Sequence, residues 1–206
     1  LIRKKSFDRP LGGPYNGRAH GCSIRGIGGQ PDSARNGDYR VIRVGIVGAT
    51  GYGGRELLRL LLVHPGVSVV AVASTSVAGE RVDAVLPAFH SVTDLSFETF
   101  DAVQLAQACD VVCVGVPGAQ SIPLVSALRD AGVKVIDIGP DFRLNDAQEF
   151  EQYYGTAHGA PALLKESVYG LVPCYRAEVE DATLVAVPGC YPISVVLPLR
   201  PLLEAA

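Results

Sequence analysis

Two stretches of this sequence carry residues whose types and spacing could do chemistry. The first is Leu-Val-Ala-Val-Pro-Gly-Cys-Tyr-Pro over 184–192. It places Cys190 after a short apolar strand and a Pro188-Gly189 turn, at the head of an apolar segment able to open as a helix. A thiolate at a helix N-terminus is stabilised by unpaired N–H groups and by the helix dipole. It can attack an electrophilic carbonyl carbon. Spacing alone favours an ordinary buried cysteine. A nicotinamide nucleotide nearby would favour the nucleophile, because that pairing suits aldehyde or acyl-phosphate chemistry.

The second stretch supplies such a nucleotide site. Gly-Ala-Thr-Gly-Tyr-Gly-Gly over 48–54 puts Gly48, Gly51 and Gly54 in a GxxGxxG spacing, directly after an apolar run and before a leucine-rich helix. The first glycine permits a tight turn, the second a close approach of backbone to pyrophosphate, and the third close helix–strand packing. Thr50, Tyr52 and Gly53 complete the turn, and the N–H groups that open the helix suit phosphate. A glycine-rich packing turn is the plain alternative. The next strand ends in Ala73-Ser74-Thr75-Ser76, with no acid until Glu80. An NAD-selective site usually carries a carboxylate there for the ribose 2′-hydroxyl. Hydroxyls of Ser74, Thr75 and Ser76 can instead bond a 2′-phosphate, with Arg81 able to add charge if its loop folds back, so NADP is expected over NAD.

These residues need elements to position them. Val41–Val47, 67–74, 111–116 and 133–139 read as buried strands, and 55–64, 101–108 and 121–132 as helices, with Asp101 a candidate N-cap. Residues 75–100 read as loop, a short helix and a minor strand. Alternating strands and helices imply βαβ units and a parallel sheet. The expectation is a Rossmann-like, doubly wound α/β domain over 41–145. The alternation weakens from about Asp141, so 146–206 reads as the start of a second, α+β catalytic domain, cut short.

Composition sets the outer limits. The chain has 206 residues, 48% hydrophobic and 19% charged, with a net charge of −3. It shows no basic stripe for nucleic acid and no apolar run near the ~20 residues of a membrane span. Five cysteines, at 22, 109, 113, 174 and 190, are odd in number and scattered. They read as free thiols in a reducing compartment, hence the cytoplasm, and no Cys/His set has metal-ligand spacing. Residues 1–40, rich in Gly, Arg, Pro and Asn, read as a disordered leader or extension; an organelle-targeting role is a weaker alternative.

The segments VGIVGATGYGG (44–54), ELLRLLLVHPGV (56–67), VIDIGPDFRL (135–144), YYGTAHGAPALL (153–164), VYGL (168–171) and VPGCYP (187–192) occur in one order. Together they resemble the N-acetyl-γ-glutamyl-phosphate reductase family of arginine biosynthesis, over residues 41–206. Aspartate-semialdehyde dehydrogenase, the neighbouring family with shared fold and mechanism, is the alternative; a non-catalytic nucleotide-binding module is another. The resemblance implies reduction of an acyl phosphate to a semialdehyde by NADPH through a thioester on Cys190. It implies an oxyanion contact at Gly189, substrate contacts at Asp141, Arg143 and His158, and a nicotinamide-side loop at Pro117. The full-length protein is expected to be a homo-oligomer.

The sequence also departs from the family. Pro117-Gly118-Ala119 stands where the family has Pro-His-Gly. Ile193 and Ser194 follow the cysteine motif, Val172-Pro173-Cys174 follows YGL, and Pro198 falls inside an expected helix. The family's acid–base histidine lies beyond residue 206, and none of His20, His64, His90 or His158 matches it. The 206 residues alone are therefore expected not to be a competent enzyme.

Overall fold

The run Ile-Arg-Val-Gly-Ile-Val forms strand β1 (Ile42–Val47), whose last four residues are buried. The computed structural model describes residues 40–205, so all but the last residue of the expected leader lies outside it. Helix α1 (Tyr52–Leu61) follows the glycine turn, and β2 (Val67–Ala73) pairs parallel to β1. A short α2 (Val82–Val85) and a 3₁₀ turn at Pro87–Phe89 lead to the two-residue β3 (Phe97–Glu98). The chain then returns across β1. Helix α3 (Ala102–Ala108), with Asp101 capping the Gln104 N–H at 2.9 Å, precedes β4 (Val111–Val114). Helix α4 (Ser121–Asp130) ends before Gly132, whose positive φ of 85° suits glycine, and leads into β5 (Lys134–Asp137).

Beyond β5 the chain runs through α5 (Ala147–Tyr154), α6 (Pro161–Glu166), β6 (Val168–Tyr169), α7 (Val172–Asp181), β7 (Leu184–Ala186) and α8 (Cys190–Glu204). All seven strands form one parallel sheet in the order β3-β2-β1-β4-β5-β7-β6. Strand residues alternate between two cores, as helices on both faces require. Val112 and Val114 pack with Leu105, Val125, Leu128, Phe150 and Leu164; Cys113 packs with Ile46, Leu58, Val82 and Phe97.

Beyond residue 145, where the sequence reads as the start of a second domain, β6 and β7 add to the same sheet. The two residues of β6 carry no readable period, whereas β7 falls on the short apolar strand expected ahead of Cys190. Helix α8 also runs through Pro198 and Pro201 instead of breaking there, and none of its residues is buried.

Candidate functional site

In a parallel sheet every strand ends at the same edge, so the loops after β1, β4, β5 and β7 gather there. The chain reverses direction between β1 and β4, which opens a crevice at that edge. Gly48 sits there at φ +86°, and a Cβ on it would lie 2.5 Å from the Gly115 carbonyl oxygen after β4. A Cβ on Gly54 would lie 2.3 Å from the Gly48 carbonyl oxygen. Only glycine fits either position, so α1 starts hard against the turn. Gly51 is the N-cap of α1; no side chain caps it and its first turn holds no acid. The opening N–H groups of α1 are thus presented to an anion in the manner of a diphosphate site. Tyr52 and Gly53 are exposed beside it.

Arg55, not singled out from sequence, overhangs this turn. Its guanidinium lies 5.9 Å from the centre of the Tyr52 ring and donates to the Thr50 carbonyl at 3.3 Å. The signal for it was a cation in the first turn of a helix, where acids are ordinarily favoured. After β2, the Ser74 and Ser76 hydroxyls lie 3.2 Å apart, and Thr75 and Ser76 are exposed. Arg81 does not supply the charge expected there: it bonds Asp83 at 2.9 and 3.0 Å and Asp94 at 3.3 Å.

Cys190 is exposed at the first position of α8, with Gly189 as an uncapped N-cap. It stands on the sheet edge that carries the glycine turn. Three strand spacings separate β1 from β7, about 14 Å at ~4.8 Å each. Cys174 is half-buried, and Cys109 and Cys113 are buried. Burial pushes Cys109 up to about 11 and Cys113 up to about 12.

Arg143 ties the ends of β5 and β7 together. Its Nε donates to the Val187 carbonyl at 2.8 Å and its Nη2 to the Ile138 carbonyl at 3.1 Å. Nη1 lies against Gly189, 3.1 Å from where a Cβ would stand. Arg143 is therefore adjacent to the cysteine turn, with part of its donor set already used on the frame.

Asp141 and His158 are placed differently from the expected substrate-facing positions. Asp141 is 1% exposed; its Oδ1 accepts the Ala119 N–H at 3.0 Å and its Oδ2 the Ser121 hydroxyl at 2.7 Å. His158 is buried edge-on between Phe142 and Phe150, with ring centroids 5.1 and 4.7 Å away. Its Nδ1 accepts the Ala160 N–H at 3.1 Å, and burial pushes its pKa down, so the ring is neutral at pH 7. A packed aromatic pair, rather than open space, surrounds it.

Sequence reasoning also passed over Asp137. It ends β5 fully buried, accepts the Gly139 N–H at 3.2 Å, and lies 3.5 Å from the Ser121 hydroxyl that bonds Asp141. Burial, helped by the Asp141 charge, raises it to about 6. The signal was an acid closing an otherwise apolar central strand. Pro117 is exposed after β4, in the loop that Asp141 anchors.

The Gly48–Gly54 cradle and the uncapped α1 fit a nicotinamide dinucleotide. Comparison with known proteins agrees. The model of the family "Semialdehyde dehydrogenase, NAD binding domain" matches residues 43–182. An N-acetyl-gamma-glutamyl-phosphate reductase of Pseudomonas aeruginosa is 50% identical over 166 residues, covering 80% of this chain and 48% of that protein. One from Laribacter hongkongensis is 48% identical over 165 residues, again 80% and 48%. The chain thus spans about half the length of the curated relatives it matches. Among solved structures, the fold is shared with an aspartate semialdehyde dehydrogenase with NADP from Candida albicans, at TM-score 0.56 and 20% identity, covering 80% of this chain and 47% of that one. It is shared likewise with aspartate semialdehyde dehydrogenase II from Vibrio cholerae, at TM-score 0.58 and 19% identity, covering 81% and 43%.

Proposed function

The chain belongs to the semialdehyde dehydrogenase family through its NAD-binding domain, and on that premise we propose that it is part of an NADPH-dependent N-acetyl-γ-glutamyl-phosphate reductase of arginine biosynthesis. The observation that carries the proposal is an exposed Cys190 heading α8 on the same sheet edge as the Gly48–Gly54 cradle. Identity near 50% with reductases of that name supports this substrate over an aspartyl phosphate.

In this reading the Cys190 thiolate attacks the acyl carbon of N-acetyl-glutamyl 5-phosphate. A C–S bond forms, the C–O bond to phosphate breaks, and inorganic phosphate leaves with the electron pair. Gly48, Thr50, Gly51, Tyr52, Gly53 and Gly54 would hold NADPH, with Ser74, Thr75 and Ser76 toward its 2′-phosphate and Pro117 toward its nicotinamide, and the bound cofactor would supply the hydride that reduces the thioester. The thiohemiacetal collapses to N-acetyl-glutamate 5-semialdehyde and frees the thiolate. The Gly189 turn and the Cys190 N–H bond the developing oxyanion, and Arg143 Nη1, beside Gly189, faces the substrate's anionic groups.

The acid–base group for this collapse we assign to sequence outside these 206 residues. His64 follows α1 at the opposite sheet edge, His90 lies 3.8 Å from Asp83, and His158 is buried. The same proposal makes the full-length protein a cytoplasmic homo-oligomer and this chain alone inactive. Covering the exposed apolar side chains of α8, Tyr191, Leu199, Leu202 and Leu203, would suit such an assembly.

Iodoacetamide labelling at pH 7 with peptide mapping tests the site. Cys190 should label selectively, more slowly with NADP present. An inert Cys190 in a chain that still binds NADP would favour a non-catalytic nucleotide module. With the full-length protein, turnover of aspartyl phosphate in preference to N-acetyl-glutamyl phosphate would assign the neighbouring activity instead.

A further inference from the structure

We infer that Asp141 is a positioning residue for the nicotinamide half of the dinucleotide, acting through the backbone of Ala119. The inference rests on the dinucleotide reading of the 48–54 turn. Ala119 stands at φ +63°, in the left-handed region that a residue with a Cβ avoids. Its N–H is held by Asp141 Oδ1 at 3.0 Å, and the other oxygen of that carboxylate takes the Ser121 hydroxyl at 2.7 Å. One buried carboxylate thus grips the chain on both sides of Gln120, between the end of β4 and the first residue of α4. The loop lies directly on the Asp141 segment: a Cβ on Gly118 would stand 3.2 Å from Pro140 Cγ and 3.5 Å from Asp141 Oδ1.

The position of that loop gives the grip a consequence. With diphosphate on the α1 N-terminus, the adenosine half goes to the end of β2. The other half must then cross β4 to approach the cysteine after β7. Pro117, Gly118 and Ala119 form the loop it crosses, and Gly115 already touches Gly48 at the crevice. A carboxylate that fixes a disfavoured backbone conformation there sets the surface on which the nicotinamide rests, while touching no ligand itself.

Two ligands separate this role from simple stability. NADP+ carries the nicotinamide; 2′-phospho-ADP-ribose lacks it and keeps everything else. Asp141→Ala should weaken NADP+ binding about tenfold and change 2′-phospho-ADP-ribose less than twofold. Asp141→Asn keeps an oxygen for the Ala119 N–H and should restore NADP+ affinity, as should Ala119→Gly in the Asp141→Ala background, where glycine adopts the left-handed conformation freely. Should Asp141→Ala not fold, hydrogen exchange on the unmodified chain reads the same point: NADP+ should slow the amides of 118–119, and 2′-phospho-ADP-ribose should not. Equal weakening of both ligands, equal protection by both, or no effect of either kind would overturn the inference. Failure of the unmodified chain to bind either ligand would instead sink the dinucleotide reading itself.

Discussion

Arg143 donates from Nε to the Val187 carbonyl at 2.8 Å, three residues before Cys190, and from Nη2 to the Ile138 carbonyl at 3.1 Å. The cysteine turn is therefore fastened to the end of β5 by one planar fork. Lysine has the charge without the fork and can reach only one carbonyl at a time. Arg143→Lys should destabilise the chain by about 2 kcal/mol, the scale of one lost charge-assisted hydrogen bond. Urea unfolding at pH 7 checks this; an unchanged midpoint would mean that the fork does not brace the turn.

The glycine turn makes a paired prediction. A Cβ on Gly54 would press on the Gly48 carbonyl oxygen at 2.3 Å and on Ala49 Cα at 2.8 Å, both backbone atoms that cannot step aside. Gly54→Ala should cost about 1–3 kcal/mol, as overpacking does, and weaken dinucleotide binding more than tenfold. Gly53, inside α1, would bring its Cβ no closer than 3.8 Å to Ile138 Cγ2. Gly53→Ala should stabilise by about 0.5 kcal/mol through lower unfolded-state entropy. Thermal melts of the two variants, shifted in opposite directions, would support the geometry; shifts of the same sign would contradict it.

Much of this was readable because it is local. Strand β1, the glycine turn, α1 and the Asp101 cap each announce themselves within a dozen residues, and so does the Pro-Gly-Cys turn ahead of α8. The sequence was silent where partners are distant. Asp141 is turned inward by Ala119 and Ser121, 22 and 20 residues away. His158 is buried by Phe142 and Phe150, which no periodicity links to it. A polar residue in a glycine-rich stretch reads as a ligand contact on paper, and only packing shows that its oxygens are already taken. Strand β6 escaped for the related reason that a parallel partner, not its own two residues, makes it a strand.

Ala119 offers a change that should raise stability. Left-handed backbone costs a residue with a Cβ about 1–2 kcal/mol, whereas glycine's extra unfolded-state freedom costs roughly 0.5–1. Ala119→Gly should therefore stabilise the chain by about 0.5–1 kcal/mol, seen as a higher urea midpoint with unchanged slope. A loss of stability would mean that the φ of +63° is not the conformation in solution.

Asp137 predicts a specific pH dependence. Burial raises it from an ordinary 3.8 to about 6, so between those values the folded chain holds a proton that the unfolded chain releases. The resulting stabilisation is present in full below about pH 4 and is lost as pH rises through about 6. The difference is on the order of 3 kcal/mol. Asp137→Asn should imitate the protonated acid: its oxygen still accepts the Gly139 N–H, and its amide can donate to the Ser121 hydroxyl, which donates onward to Asp141. Urea unfolding from pH 4 to 8 should show the two proteins alike at pH 4, with the variant's advantage growing between about pH 4 and 6 and levelling off above that. Because the two proteins differ only at residue 137, contributions from the rest of the chain largely cancel in the difference. A difference that stays flat across the range would show that Asp137 is already ionised in the folded chain at pH 4, and that the Ser121 hydroxyl is shared between two carboxylates.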